Sequence, residues 1–192
     1  MSRRRDVVVA GHRGDEATAR AGLADPDAKV RASALGALDR IGVLDHATLL
    51  GATADAEPLV RRRAAQLTAR HPGVSPRPLL DDPHPSVVEM AAFACGEQER
   101  AEPDIVARLA TLAVDHPDAL VREAAVAALG AIGDPAGLPA ILAATQDKPA
   151  VRRRAVIALT PFDGPEVDEA RVRARGDRDW QVRQVAEDLD DA

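Results

Sequence analysis

The stretch Val121-Arg122-Glu123-Ala124-Ala125-Val126-Ala127-Ala128-Leu129-Gly130-Ala131-Ile132-Gly133-Asp134-Pro135 decides the fold. Val121, Ala125 and Ala128 fall at the three-and-four spacing of one helical face, and alanine is the best helix former. Gly130 and Gly133 read as C-cap material. The opening dipeptide recurs at Val30-Arg31, Val60-Arg61, Val151-Arg152 and Val182-Arg183, and Val87-Val88 is a copy that has lost its Arg. The valines are 30, 27, 34, 30 and 31 residues apart, a period that announces stacked supersecondary units. Each follows a loop rich in Asp and Pro, such as Asp25-Pro26-Asp27, Asp82-Pro83-His84-Pro85 and Asp177-Arg178-Asp179. Asp caps orphan amides and Pro is tolerated only in a first turn, so these loops start helices.

Alignment on the valine exposes a column of small residues. Four positions on stand Ala34, Ala64, Ala91, Ala125, Ala155 and Ala186; seven positions on stand Ala37, Leu67, Ala94, Ala128, Ala158 and Leu189. Such a column needs a partner helix crossing too closely for larger side chains, and the preceding segment of each repeat is the expected partner. Glu16 to Ala24, Asp45 to Ala54, Pro103 to Val114 and Pro135 to Thr145 carry helical patterns; Arg77 to Asp82 is short and Val167 to Arg175 strongly charged. Each repeat is then helix, turn, helix, burying by stacking what one repeat cannot bury alone. The repeats span about 14–42, 43–71, 72–100, 101–133, 134–161 and 162–192 of a single domain. Composition agrees: aromatics are 2% and alanine occurs 40 times in 192 residues, which suits close-packed helices and not a β-sandwich.

Val121 to Pro135 and, nearly as well, Asp25 to Gly42 resemble the HEAT repeat, in the short form first described in phycobilisome lyases. The resemblance covers about residues 14 to 190. It implies an all-α, right-handed, armadillo-like solenoid of six repeats, with first helices on a convex side and second helices lining a concave one. It is specific for fold and nearly silent on function.

Charge and composition narrow the function classes. The net charge is −6, so the global basic excess of many nucleic-acid binders is absent. Lysine occurs only at Lys29 and Lys148, an Arg- and Ala-rich usage that fits a GC-rich bacterial genome. A lone Cys95 fits a reducing compartment, and the apolar run Val7 to Ala10 is too short for a signal peptide. With no stretch long enough to span a bilayer, the expectation is a cytoplasmic monomer that does not engage membranes.

The second helices offer a face opposite the valine. Two positions on, it reads Ala32, Arg62, Glu89, Glu123, Arg153 and Gln184; six positions on, it reads Gly36, Gln66, Phe93, Ala127, Ile157 and Asp188. Phe93, Ala127 and Ile157 should form an apolar strip with a charged rim, the look of a protein-binding patch. Arg62, Gln66, Glu89, Phe93, Glu123, Ala127, Arg153, Ile157 and Gln184 are therefore the candidate contacts for another protein. The competing reading buries Phe93 under a tail and Ile157 between neighbours. The third repeat departs most: Arg70 to Pro78 is Pro-rich, and Val88 replaces the recurring Arg. That recurring Arg should pair with a loop Asp of its own or the adjacent repeat, forming a structural ladder.

The triplets Arg61-Arg62-Arg63 and Arg152-Arg153-Arg154 carry an alternative, a nucleic-acid-binding HEAT protein related to alkylated-base DNA glycosylases. Against it, Glu89 and Glu123 lie between the triplets and would repel phosphate. Trp180, the only tryptophan, sits in a common repeat loop where it should pack on the next repeat. A bilin-lyase activity has no residue to mark it. The His-Glu pairs of HEAT-like iron hydroxylases are absent, and His12, His46, His71, His84 and His116 share no face, so neither metal nor cofactor is expected. Cys95 reads as buried, and His84 and His116 as turn-capping. Asp81-Asp82 and Asp190-Asp191 sit in a cap and a tail. The chain also lacks a phosphate-cradling glycine loop and a nucleophile elbow, so no enzymatic activity is expected.

Overall fold

A computed structural model describes residues 3–98 and 102–190. They form twelve α-helices: α1 (Arg3–Arg13), α2 (Glu16–Ala21), α3 (Ala28–Ile41), α4 (His46–Ala52), α5 (Pro58–Thr68), α6 (Pro85–Gly96), α7 (Pro103–Asp115), α8 (Ala119–Ile132), α9 (Leu138–Ala144), α10 (Pro149–Ala158), α11 (Pro165–Arg175) and α12 (Trp180–Asp190). Three 3₁₀ helices, Gly22–Ala24, Arg77–Asp81 and Pro135–Gly137, complete the first-helix layer. The chain is thus all-α and built from helical repeats, as the periodicity requires. The Pro-rich stretch before Arg77 leaves the third repeat only its 3₁₀ turn as a first helix. The charged segment after Gly164 is helical nonetheless, burying Val167, Ala170 and Ala174.

The loops start helices for the reason the sequence gives. Asp27 and Asp118 accept the amides of Lys29 and Leu120, while Asp15 and Asp45 accept those of Thr18 and Thr48. Pro58 and Pro149 enter at the first turn of α5 and α10, where their missing N–H costs nothing.

The chain forms two compact units, Met1–Ala94 and Cys95–Ala192. In the first, Val30, Ala34, Leu35, Ala37, Leu38, Val60, Ala64 and Leu67 make one buried cluster with Val7 of α1. In the second, Val156, Ala174, Val182 and Ala186 pack together. All six column valines and all six alanines four positions on are buried. Cys95 is buried as expected.

The small column has two partners, not one. Ala34 meets the preceding segment: a Cβ on Gly22 would lie 3.0 Å from the Ala34 Cβ. The residue seven positions on meets the preceding second helix instead. A Cβ on Gly130 would lie 2.6 Å from the Cα of Ala158, and one on Gly96 would lie 3.0 Å from the Cα of Ala128. Gly130 is therefore no cap. It lies inside α8 and lets α10 approach; Gly133, at φ 68°, is the left-handed C-cap.

The same signature identifies α1, which the sequence reading left outside the repeats. A Cβ on Gly11 would lie 2.8 Å from the Cα of Ala37. Gly11 thus stands to α3 as Gly130 stands to α10, and α1 packs on α3 as one second helix packs on the next. Its valine position would be Ser2, so the dipeptide that marks the other repeats is missing. Of the acidic pair Asp190-Asp191, Asp191 lies outside the described residues. Trp180 is 64% exposed at the start of α12, in the last of the repeats.

Candidate protein-binding face

The recurring Arg builds a ladder within each unit. In the first unit, Arg31 donates through Nε and Nη2 to the two carboxylate oxygens of Asp55, at 2.9 and 2.7 Å. Its Nη1 donates to the carbonyls of Asp25 and Pro26. Arg61 repeats the motif with Asp82, at 2.6 and 3.0 Å, and with the carbonyls of Asp55 and Ala56. In the second unit, Arg122 pairs with Asp147 and Arg152 with Asp177 in the same fork. Each Arg thus ties its own loop to the loop of the next repeat, a bidentate geometry that lysine cannot reproduce. The carboxyls of Asp55, Asp147 and Asp177 are held below their ordinary value by these guanidinium hydrogen bonds. At Asp82 burial pushes upward, but the bond from Arg61 and the backbone amide of His84 prevail.

Two features of the ladder escaped the sequence reading. Arg3, one past the valine position of α1, meets Asp25 at 2.9 Å, adding a rung that is 65% exposed on the Arg side. In addition, the sequence departs from the ladder pattern at one position in each unit. Val88 stands where other second helices carry Arg, and His116 stands where other loops carry Asp. His116 still caps its own loop, because its Nδ1 accepts the amide of Asp118 at 3.1 Å, as Asp82 accepts that of His84. His84 caps its own turn through Ser86.

With the rung arginines engaged, the rest of each triplet turns to the second-helix face. In the first unit, Arg62 and Gln66 of α5 line a groove with α1 and α3. Arg63, its neighbour in the triplet, donates to Gln66 Oε1 at 2.5 Å. Glu89 is half-buried on α6, and Phe93, one turn on, is 47% exposed between buried Ala92 and Ala94. In the second unit, Glu123 and Ala127 are half-buried on α8, and Glu123 faces Arg154 at 3.7 Å. Arg153 is half-buried on α10, where Ile157 is 38% exposed. Gln184 is exposed on α12 and donates to Asp188. Each unit thus gathers its own share of the expected contacts. The Phe93, Ala127 and Ile157 strip divides between the units, with Phe93 in the first and the other two in the second.

Most exposed large apolar side chains described in the first unit lie on this face: Val8, Leu59 and Phe93 do, and Leu50 does not. In the second unit Leu120 and Ile157 lie on it, while Val114 and Val172 sit on first helices. The sequence reading missed Val8, Leu59 and Leu120. Leu59 and Leu120 stand one residue before the valine, a register it did not inspect, and Val8 belongs to the unrecognised α1. Among the described residues no group of three His, Cys, Asp or Glu side chains is arranged to hold a metal ion. No helix of the described residues is long and apolar enough to cross a membrane.

The family profile described as HEAT repeats matches residues 77–160. This stretch is a HEAT-repeat array. Solved structures extend the likeness to nearly the whole chain. An engineered protein aligns with 91% of this chain and 94% of its own, at 19% identity and a TM-score of 0.66. A designed armadillo repeat protein in complex with a (KR)4 peptide aligns with 94% of this chain and 98% of its own, at 18% identity and a TM-score of 0.65. The Escherichia coli protein YibA aligns with 97% of this chain and 73% of its own, at 18% identity and a TM-score of 0.68. At these identities the likeness shows the fold: an armadillo-like repeat solenoid. No curated protein matches the chain.

Proposed function

We propose that this chain is a non-enzymatic module that binds another protein through the face built by its second helices. The observation that carries the reading is Phe93, a large ring left 47% exposed in a chain that has only two phenylalanines. Its own helix buries Val87, Val88, Ala91, Ala92, Ala94 and Cys95, so the ring had core to join and does not join it. Exposed aromatics of this kind are the usual anchors of protein interfaces. Arg62 and Glu89 stand two past the valine and Gln66 six past it, so they share the face of Phe93 by register in the first unit. Glu123, Ala127, Arg153, Ile157 and Gln184 supply the corresponding positions in the second. The fold supports the same reading, because stacked repeats present long surfaces and a designed armadillo relative holds a peptide. The module would work as a cytoplasmic monomer without metal or cofactor, and without a membrane.

The test is capture of partners from the native host by the full chain, with and without nuclease. A stoichiometric protein that survives nuclease and is lost in Phe93→Glu supports the reading. Recovery of nucleic acid, lost on charge reversal at Arg62 and Arg153, overturns it in favour of nucleic-acid binding.

A further inference from the structure

The groove of the first unit has a chemistry of its own. It lies between α1, α3 and α5, with a volume near 380 Å³. Its ionisable lining is Arg4, His12, Lys29, Arg40, Arg62 and Arg63, and no carboxylate lines it. This occurs in a chain of net charge −6. Among the described residues none of these six makes an ion pair; Arg4 donates to the Ser33 hydroxyl and Arg63 to Gln66. The apolar floor is Val8 and Leu59, both exposed.

The second unit supplies an internal control. Arg63 and Arg154 occupy the same register, three past the valine. Arg154 meets Glu123, which stands two past the valine on the preceding helix. The residue equivalent to Glu123 in the first unit is Ala32, so Arg63 has no such counter-ion. Arg63 is nevertheless seated and half-buried: its Nη2 occupies the space that a Cβ on Gly36 would fill. Glycine at that point makes the seat. Burial lowers the pKa of its guanidinium, Asp39 opposes that shift, and Arg70 and Arg40 add to it. Asp39 is the nearby acid but is itself paired with Arg70 and His71, so the half-buried Arg63 forms no ion pair of its own among the described residues, which is unfavourable unless an anion arrives from outside.

We propose that this groove binds an acidic segment of a partner protein, with carboxylates held by the arginines and Lys29 and apolar side chains resting on Val8 and Leu59. This rests on the protein-binding reading above and names the chemistry of the partner. The geometry favours a peptide over nucleic acid for two reasons. No Phe, Tyr or Trp lines the groove to stack on a base. The overall negative charge also opposes the approach of a long polyanion. An alternating acidic and apolar segment satisfies both the cations and the floor.

The test measures fluorescence anisotropy of a labelled peptide alternating Glu and Leu against the full chain at low salt. The Glu peptide should bind, and its Gln counterpart at least about tenfold more weakly, since one lost charge-assisted contact costs about that factor. Arg62→Glu and Arg40→Glu should each weaken binding about tenfold or more, whereas Arg178→Glu, a reversal in the second unit, should not. Gly36→Ala keeps every charge but displaces the Arg63 guanidinium, and should weaken binding severalfold with an unchanged circular dichroism spectrum. Four results overturn the proposal: no binding of the Glu peptide, equal binding of the Gln peptide, equal loss in Arg178→Glu, or tighter binding of a single-stranded oligonucleotide of equal charge. Retention of a host partner by Arg62→Glu, with its loss in Phe93→Glu, removes the acidic-segment proposal and leaves the protein-binding reading standing.

Discussion

Replacing Asp147 with Ala should destabilise the second unit by about 3 kcal/mol, and the figure follows from the rung it breaks. Arg122 donates four hydrogen bonds: to both oxygens of Asp147 at 2.6 and 2.8 Å, and to the carbonyls of His116 and Pro117 at 2.7 and 3.2 Å. The substitution removes the two charge-assisted bonds and the Lys148 amide bond at 2.6 Å, and leaves a largely buried guanidinium with two neutral acceptors. Removing one partner of a buried ion pair costs about 3–5 kcal/mol. The lower end applies because the Asp147 side chain keeps 19% of its exposure, so water can reach the vacated position. For a chain of this size about 3 kcal/mol corresponds to roughly 6–12 °C in the midpoint of thermal unfolding. Asp25→Ala is the matched control. Asp25 also accepts a loop amide, that of Asp27, but its Arg3 partner is 65% exposed, so its rung contributes less than about 1 kcal/mol. The assay is thermal and denaturant unfolding followed by far-UV circular dichroism, with the two variants side by side. Equal shifts in the two variants, or an Asp147→Ala shift below about 1 kcal/mol, would refute the claim that buried bidentate rungs hold the loops together.

The remaining predictions touch packing, titration and reactivity. Gly130→Ala should cost about 1–3 kcal/mol, because its Cβ would lie 2.6 Å from the Ala158 backbone. Gly51→Ala should instead stabilise by about 0.5–1 kcal/mol, since nothing lies within 4 Å of the new Cβ in α4; denaturant midpoints distinguish the two. The carboxyls of Asp55, Asp147 and Asp177 have pKa values depressed below the ordinary 3.8, so their stabilisation is fully present above that value and is lost as pH falls through the folded values. Thermal midpoints should therefore hold steady down to about pH 4 and fall below it, with a shallower fall in Asp147→Asn. Cys95 should react with a thiol reagent only on unfolding, at a rate that rises with denaturant, because it is wholly buried.

The helical repeat was legible because its determinants are local. The Asp-Pro loops, the valine column and the alanines behind it each recur at fixed offsets, and each takes its predicted burial. The ladder was legible for the same reason, since a repeated Arg and a repeated loop Asp are both visible in one period. What escaped reading was relational. Gly130 looks like a helix terminator until the close approach of Ala158 shows its purpose. The helix α1 carries no Val-Arg dipeptide, so its packing on Ala37 and its rung to Asp25 reveal its place. The groove followed it into obscurity, because Arg4, Val8 and His12 come from that helix. The exposed positions of Phe93 and Ile157 were readable from helical phase.

The face that meets the partner is the central claim, and an amide chemical-shift titration tests it most directly. The chain, at 20.2 kDa, is small enough for residue-by-residue assignment. Addition of the captured partner should perturb amides around Arg62, Phe93, Arg153 and Ile157 on the second helices. It should leave those around Leu50, Val114 and Val172 on the first helices unmoved. Perturbations centred on the first helices, with Phe93 and Ile157 silent, would contradict the account.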